Sequence, residues 1–344
     1  MRAILAAALA MACVQAVRAQ PCEGAERQIA AATRLIDLGE LAEAGPILLP
    51  LRTSHPLCDD VLLALGRLRL AEGNVDDARA FLSRFIASVP LDARAYYALA
   101  ELSLLNGDPV RADSASANAV ALKPDYIEAL VLRGRILGMK GNAGEAQKLL
   151  ETACRLAPES AEAHFQLGVL FDSKNDPGEA VAQFRKVLLL NAKNPRANDY
   201  LALNLERLGK AEEAAAAYKA GLLVNSGPLF DSFLDYNYAR FLMKRNCLAE
   251  SKSHLDRAVS LAPETRAVYY ERARVNLRLN RYEEARADAE HARSLPDPEG
   301  FVLDLQVYYL LSTIYGRLGQ TDLARKYAEL SRTTRVPLRW AGRM

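Results

Sequence analysis

The sequence predicts an all-α fold, a solenoid of about nine antiparallel helix pairs. Prolines recur every 34 residues, and each ends a helix-like run: Pro56, Pro90, Pro124 and Pro158. Glycines and alanines keep the same period elsewhere in the repeat: Gly39, Gly73, Gly107 and Gly141, and Ala44, Ala78, Ala112, Ala146, Ala180 and Ala214. Three residue types in one register indicate stacked repeats, in which each helix pair packs against its neighbours.

Each repeat is expected to hold two helices, A over about positions 1–14 and B over about positions 18–31, when Asp59 is position 1. Gly at position 15 ends helix A, because glycine adopts left-handed dihedrals at little cost. Helix B then begins in two repeats with an N-cap acid and a proline, Asp108-Pro109 and Asp176-Pro177. Proline at position 32 ends helix B, since it cannot continue a helix.

The small residue at position 8 predicts a close approach of the two helices in three repeats, at Gly66, Gly134 and Gly168. The recurring alanine at position 20 of helix B is expected to receive that contact. The first repeat departs from the pattern, because Pro46 and Pro50 lie inside its expected helix B. We expect that helix to start late or to kink.

Nine units follow one another: 25–58, 59–92, 93–126, 127–160, 161–194, 195–228, 232–265, 266–299 and 305–338. Two insertions interrupt the period, near 226–231 and near 296–304. The second contains Pro296, Pro298 and Gly300, a loop composition, and we expect a lengthened turn rather than a changed superhelical path.

The fifth unit carries Leu167-Gly168, Phe171, Ala180 and Phe184 at fixed spacing. This pattern resembles the tetratricopeptide repeat family, and the resemblance covers nearly the whole chain after residue 19. It implies a right-handed superhelix whose inner wall is formed by helix A. It also implies that positions 2, 5, 6, 9, 12 and 13 of each unit face a groove.

Residues 1–19 resemble a secretory signal peptide, with Arg2, an apolar run and a small-residue end at Ala19. The apolar run is too short to span a bilayer, and no other stretch is long and apolar enough to do so. A buried N-terminal helix and a lipid anchor at Cys13 or Cys22 are the weaker alternatives. The predicted division is therefore a signal peptide over 1–19, the repeat array over 20–338 and a tail over 339–344.

Cys22 precedes helix A of the first unit and Cys58 follows its helix B, so the two lie at neighbouring ends of an antiparallel pair. An exported chain meets an oxidising compartment, and one alternative is a disulfide between Cys22 and Cys58. The other is two unpaired thiols. Cys154 and Cys247 lie several units apart and are expected to be buried and inert.

Composition and motifs argue against catalysis and against nucleic-acid binding. The net charge of +2, from 44 basic and 42 acidic residues, does not suit neutralisation of phosphates. The four histidines form no metal-ligand pattern, no cysteine pair has zinc spacing, and no phosphate-loop, dinucleotide or nucleophile motif is present. We therefore predict no enzyme activity, no cofactor and no metal.

The last three units place tyrosine and arginine at the positions that the resemblance assigns to the groove. The candidate partner-binding residues are Tyr236, Asn237, Arg240, Tyr270, Arg274, Arg278 and Tyr309. Residues 20–231 hold 23 basic and 28 acidic residues, whereas 232–344 hold 19 and 14. These residues favour an extended partner segment with acidic groups. In the alternative arrangement, the tyrosines pack against neighbouring repeats and arginine pairs with an acid such as Glu271.

The leading prediction is a non-catalytic exported scaffold that binds a protein or peptide in its groove. A periplasmic or outer-envelope location in a bacterium is expected. Two alternatives stay open: a structural subunit of an envelope or secretion assembly, and an accessory to a separate envelope enzyme. The sequence leaves the oligomeric state and the identity of the partner undetermined.

Overall fold

The prediction of an all-α solenoid is confirmed. The computed structural model describes residues 22–90, 92–226, 231, 233–297 and 300–334. These residues form eighteen helices and no strand. In chain order the helices are α1 Glu26–Leu38, α2 Leu41–Ser54, α3 Asp59–Ala71, α4 Val75–Ser88, α5 Ala93–Leu105, α6 Pro109–Leu122, α7 Ile127–Met139, α8 Ala143–Leu156, α9 Ala161–Ser173, α10 Pro177–Leu190, α11 Pro195–Arg207, α12 Ala211–Val224, α13 Leu234–Lys244, α14 Leu248–Leu261, α15 Arg266–Arg278, α16 Tyr282–Ser294, α17 Asp304–Arg317 and α18 Thr321–Thr333. Taking the odd-numbered helix as helix A, eight A–B pairs of the described residues pack together: α1–α2, α3–α4, α5–α6, α7–α8, α9–α10, α13–α14, α15–α16 and α17–α18.

Position 15 ends helix A in every described repeat through a left-handed residue. Glycine takes this conformation in six repeats: Gly39, Gly73, Gly107, Gly141, Gly209 and Gly319. Asparagine takes it in the other three, at Asn175, Asn246 and Asn280. Asparagine tolerates this region because its short side chain bonds locally to the backbone, so the turn survives where the glycine pattern fails.

The predicted N-caps of helix B are confirmed. The Asp108 carboxylate accepts the backbone N–H of Arg111 at 2.9 Å, and the Asp176 carboxylate accepts that of Glu179 at 3.3 Å. Each helix begins with the proline that follows its cap. These bonds satisfy donors that have no partner inside the helix.

Position 8 glycines do bring helices A and B together, and the nearest side chain is not the expected alanine. A Cβ atom built at Gly66 would lie 2.5 Å from Leu82, at Gly134 it would lie 2.6 Å from Leu150, and at Gly168 it would lie 2.8 Å from Phe184. These partners sit at position 24, one helical turn beyond the alanine. The large side chain fills the space that glycine leaves, while alanine is buried beside it.

The first repeat keeps a full-length helix B, so the expectation of a late start is wrong. Helix α2 runs from Leu41 to Ser54 with Pro46 and Pro50 inside it. Both prolines are exposed, so water reaches the carbonyl groups that lose their N–H partners.

Cys22 and Cys58 are joined by a disulfide with their Cα atoms 5.1 Å apart, and this bond ties the start of the first repeat to the start of the second.

The other two described cysteines are not both buried as expected. Cys247 is exposed and Cys154 is half-buried. Burial raises the pKa of the Cys154 thiol to about 11, so it stays protonated at neutral pH.

The chain divides into two compact units, and the division passes through α12. Unit 1 comprises residues 1–217 and 224–230, and unit 2 comprises 218–223 and 231–344. Within unit 1 the first and fifth repeats meet: the Asn191 side chain donates to the carbonyl of Leu38 at 3.2 Å. The A helices α1 and α9 also touch. Unit 1 therefore turns its A helices toward one another.

Within unit 2 the second insertion connects α16 to α17. Arg266, at the start of α15, contacts both ends of this insertion. It donates to the carbonyl of Leu295 at 2.8 Å, to the carbonyl of Val302 at 3.2 Å and to the Asp304 carboxylate at 2.6 Å. The helices on either side still pack together. The prediction of a lengthened turn agrees with this arrangement.

Within the described residues, no helix is both long and apolar enough to cross a membrane. The predicted signal peptide, residues 1–19, and the predicted tail, residues 339–344, lie outside the described residues.

Candidate partner-binding surface

The three tyrosines predicted for the groove lie on the A helices of unit 2. Tyr236 is on α13, Tyr270 on α15 and Tyr309 on α17. Tyr236 and Tyr270 are half-buried and pack against the core of the last repeats. The Tyr309 side chain is 69% exposed, so it adds a ring at the surface rather than in the core.

Each of the two half-buried tyrosines has an arginine four residues later on the same helix face. The Arg240 guanidinium carbon lies 5.6 Å from the centre of the Tyr236 ring, and that of Arg274 lies 5.8 Å from the centre of the Tyr270 ring. A spacing of four residues makes side chains neighbours on a helix. The ring faces therefore attract the cations and fix the direction of both arginines.

Glu271 joins the two pairs. Its side chain is buried, and both of its oxygens accept from Nη1 of Arg274, at 2.9 and 2.8 Å. One of these oxygens also lies 3.9 Å from Nε of Arg240 on the neighbouring A helix. We call Tyr236, Arg240, Tyr270, Glu271 and Arg274 the tyrosine–arginine ladder.

The contacts expected in the alternative arrangement are present in the ladder, but they leave its arginine side chains partly exposed. Arg274 pairs with Glu271, and both tyrosines pack against neighbouring residues. The side chains of Arg240 and Arg274 nevertheless remain 41% and 43% exposed. Within the ladder itself, one carboxylate faces two guanidinium groups, which favours anions. Asp297 is a further acid near this surface, close enough to raise the pKa of Tyr236.

Burial raises the pKa values of both ladder tyrosines. It raises the pKa of Tyr236 to about 12, although the charge of Arg240 acts in the opposite direction. It also raises the pKa of Tyr270. Both hydroxyl groups therefore carry their protons at neutral pH and are available as hydrogen-bond donors.

Three predicted residues lie outside the ladder. Arg278 donates to the carbonyl of Met243 at 2.9 Å and to the Asn246 side chain at 2.8 Å, which ties α15 to the turn after α13. Asn237 is half-buried beside Tyr236 on α13, and Tyr309 lies on α17. The structure thus brings four of the seven candidates together, around the glutamate of the alternative arrangement.

Phe233 is a neighbour that the sequence argument missed. Its ring centre lies 6.4 Å from that of Tyr236 in an edge-to-face arrangement, and it is 42% exposed. It precedes Tyr236 by three residues, so it falls on the same face as α13 begins. That spacing was one available signal, and Phe233 is also position 2 of the unit 232–265, a position that the family resemblance assigns to the groove.

Models described as tetratricopeptide repeat match most of the chain after residue 34, over 35–102, 131–198, 171–228, 236–297 and 305–331. The chain belongs to the tetratricopeptide repeat family. No curated protein matches it. In this tetratricopeptide repeat protein, no described group of three or more His, Cys, Asp or Glu side chains is placed to hold a metal ion.

Solved structures share the fold of this tetratricopeptide repeat protein. A chain of the APC/C hetero-tetramer Cut9-Hcn1 aligns over 87% of it with a TM-score of 0.70 and 13% identity. The protein spans only 55% of that chain. Pseudomonas aeruginosa pilF aligns over 63% of it, and over 97% of its own length, with a TM-score of 0.52 and 22% identity.

Proposed function

We propose that this protein is a non-catalytic exported scaffold whose tyrosine–arginine ladder binds a partner protein through a segment with acidic groups. The tetratricopeptide repeat fold points to protein–protein interaction in general. The ladder gives that role a place and a chemistry. A carboxylate of the partner accepts from Arg240 and Arg274, while apolar parts of the segment lie against Tyr236 and Tyr270.

The observation that carries the proposal is the exposure of two oriented guanidinium groups over two tyrosine rings. The tyrosine rings and Glu271 already hold the two arginine side chains in place. Binding a ligand therefore costs little additional side-chain entropy at these arginines. Tyrosine and arginine are also the residue types that contribute most at protein interfaces.

Export is supported by two features that do not depend on the ladder. Residues 1–19 have the layout of a secretory signal peptide. The bond between Cys22 and Cys58 is of a kind that persists in oxidising compartments. Fusion of the first residues to a reporter that is active only after export tests this part. An inactive, intracellular reporter would contradict it.

The binding part is tested with the double variant Tyr270→Ala/Arg274→Ala. Peptides are first selected against the unchanged chain from a random display library. We expect the selected peptides to be rich in Asp and Glu. Their affinity should fall at least about tenfold in the variant, since losing a hydrogen-bonded charge and an aromatic contact at an interface typically costs that much.

The chain offers a matched control in Tyr282→Ala/Arg286→Ala on helix α16. Arg286 also follows its tyrosine by four residues and also pairs with a glutamate, Glu283, at 2.8 Å. The Arg286 side chain is 40% exposed, close to the value for Arg274. Equal loss in both variants, or undiminished binding in the ladder variant with an unchanged circular dichroism spectrum, would move binding away from the ladder. The second result would favour the envelope-subunit alternative.

A further inference from the structure

Unit 1 contains a second polar group of residues, on A helices that the proposed function does not use. Its centre is Arg67 on α3. Nη2 of Arg67 donates to the Asp37 carboxylate on α1 at 2.8 Å. Nη1 lies 3.8 Å from the Glu128 carboxylate on α7. Because Arg67 reaches a helix two repeats further along the chain, the A-helix side chains of unit 1 meet around it.

Glu101 on α5 belongs to the same group and has an unsatisfied oxygen. Its Oε1 accepts the hydroxyl proton of the buried Tyr97 at 2.7 Å. Its Oε2 is buried, and no described residue donates a hydrogen bond to it. Buried carboxylate oxygens normally have donors, since leaving one unpaired is costly. We call Asp37, Arg67, Tyr97, Glu101 and Glu128 the interior cluster.

The interior cluster has an excess of negative charge. Three carboxylates face the single guanidinium of Arg67. Burial raises the pKa of Asp37 and of Glu101, and the nearby Glu128 raises both further, while Arg67 acts in the opposite direction. Two groups outside the cluster also act on these pKa values, Glu162 by raising that of Asp37 and Arg135 by lowering that of Glu101.

The interior cluster is open to solvent at one side. The Asp37 side chain is 50% exposed and that of Glu128 is 37% exposed, whereas Arg67 is only 15% exposed. The two accessible carboxylates therefore stand outside Arg67, and the unpaired oxygen of Glu101 lies deeper. A positively charged hydrogen-bond donor suits this arrangement. It would donate to Oε2 of Glu101 and offset the excess negative charge of the carboxylates.

We propose that the interior cluster binds the guanidinium or ammonium group of a basic side chain on a partner segment. The cation donates to Oε2 of Glu101 and is flanked by the carboxylates of Asp37 and Glu128. This site is separate from the tyrosine–arginine ladder and takes the opposite charge. It does not depend on whether the ladder binds acidic segments.

The test uses the purified chain and a blocked peptide, N-acetyl-Ala-Arg-Ala-amide, followed by NMR titration. The neutral counterpart carries citrulline in place of arginine and keeps nearly the same shape. We expect the arginine peptide to shift amide signals of α3, α5 and α7, and the citrulline peptide to bind at least about tenfold more weakly. That loss is typical when a charge-assisted hydrogen bond is removed.

Glu101→Gln keeps the shape of the side chain and removes its charge. It should weaken binding of the arginine peptide at least about tenfold. The thermal midpoint should not fall, because the glutamine oxygen still accepts from the Tyr97 hydroxyl and the substitution removes one negative charge from an acidic cluster. Glu43→Gln is the matched control, since Glu43 is exposed on the B helix α2 of the same unit. It should leave binding unchanged.

Three results would overturn the proposal. One is equal binding of the arginine and citrulline peptides. Another is unchanged binding in Glu101→Gln, or a lowered thermal midpoint in that variant, which would assign Glu101 a structural role. The third is binding of spermidine without binding of the arginine peptide, which would make the site one for a free polyamine. Loss of ladder binding affects none of these outcomes.

Discussion

Replacing Gly134 with alanine adds a Cβ atom where helix α8 leaves no space for it. The new atom would lie 2.6 Å from Cγ of Leu150 and 2.9 Å from its Cδ2, whereas ordinary contacts lie at 3.4–4 Å. The Leu150 side chain is 1% exposed, and Cγ carries both of its methyl groups. The whole side chain must therefore move by about 1 Å within a packed core, where gaps are few.

Overpacking of this kind costs about 1–3 kcal/mol. Alanine regains about 0.5–1 kcal/mol over glycine through its higher helix propensity. We therefore expect Gly134→Ala to lower the free energy of unfolding by about 1 kcal/mol. Gly138→Ala is the control on the same helix, because its Cβ would lie 3.6 Å from Leu170, an ordinary contact. It should be neutral or slightly stabilising, so the two variants should differ by about 1–3 kcal/mol.

The assay is urea unfolding followed by circular dichroism, together with hydrogen exchange of the α7 and α8 amides. Exchange is included because repeat arrays can lose cooperativity between repeats. Gly134→Ala should speed exchange in these two helices first. A Gly134→Ala variant as stable as Gly138→Ala would refute the argument that position 8 requires glycine for the approach of the two helices.

Two further predictions concern covalent and pH effects. Removing the disulfide by Cys22→Ala/Cys58→Ala should cost about 4 kcal/mol, because the bond closes a segment with a sequence separation of 36 residues. Thermal unfolding with and without reductant measures this cost, and a double variant as stable as the oxidised chain would contradict it. Tyr236 should ionise near pH 12, since burial raises its pKa to about 12 from the ordinary value near 10. Its neutral form is favoured in the folded state, so this stability is present below about pH 10 and is lost as the pH rises through about 12. Absorbance difference titration of the unchanged chain against Tyr236→Phe follows this ionisation, and a difference that titrates near pH 10 would show that Tyr236 is exposed.

Much of the repeat could be predicted because its determinants are local. Asp108-Pro109 begins a helix wherever the pattern occurs, since the cap and the fixed proline dihedral act within one turn. The identity of the residue that meets Gly134 could not be predicted in this way. Position 20 and position 24 lie on the same face of helix B, and only the distance between the helices decides which one reaches the glycine.

The sequence alone determined the helix pairs, the length of the repeat and the residue types on the A helices, because a 34-residue period with punctuating glycine and proline restricts the backbone locally. Helical spacing put Tyr236 beside Arg240 and Tyr270 beside Arg274, and the resemblance to the tetratricopeptide repeat family assigned both pairs to one groove. Only the tertiary structure decided that Glu271 lies between the two arginines, and that Arg67 reaches Glu128 two repeats away. Both contacts depend on how closely successive A helices pack, which is set by the side chains between them rather than by any spacing along the chain.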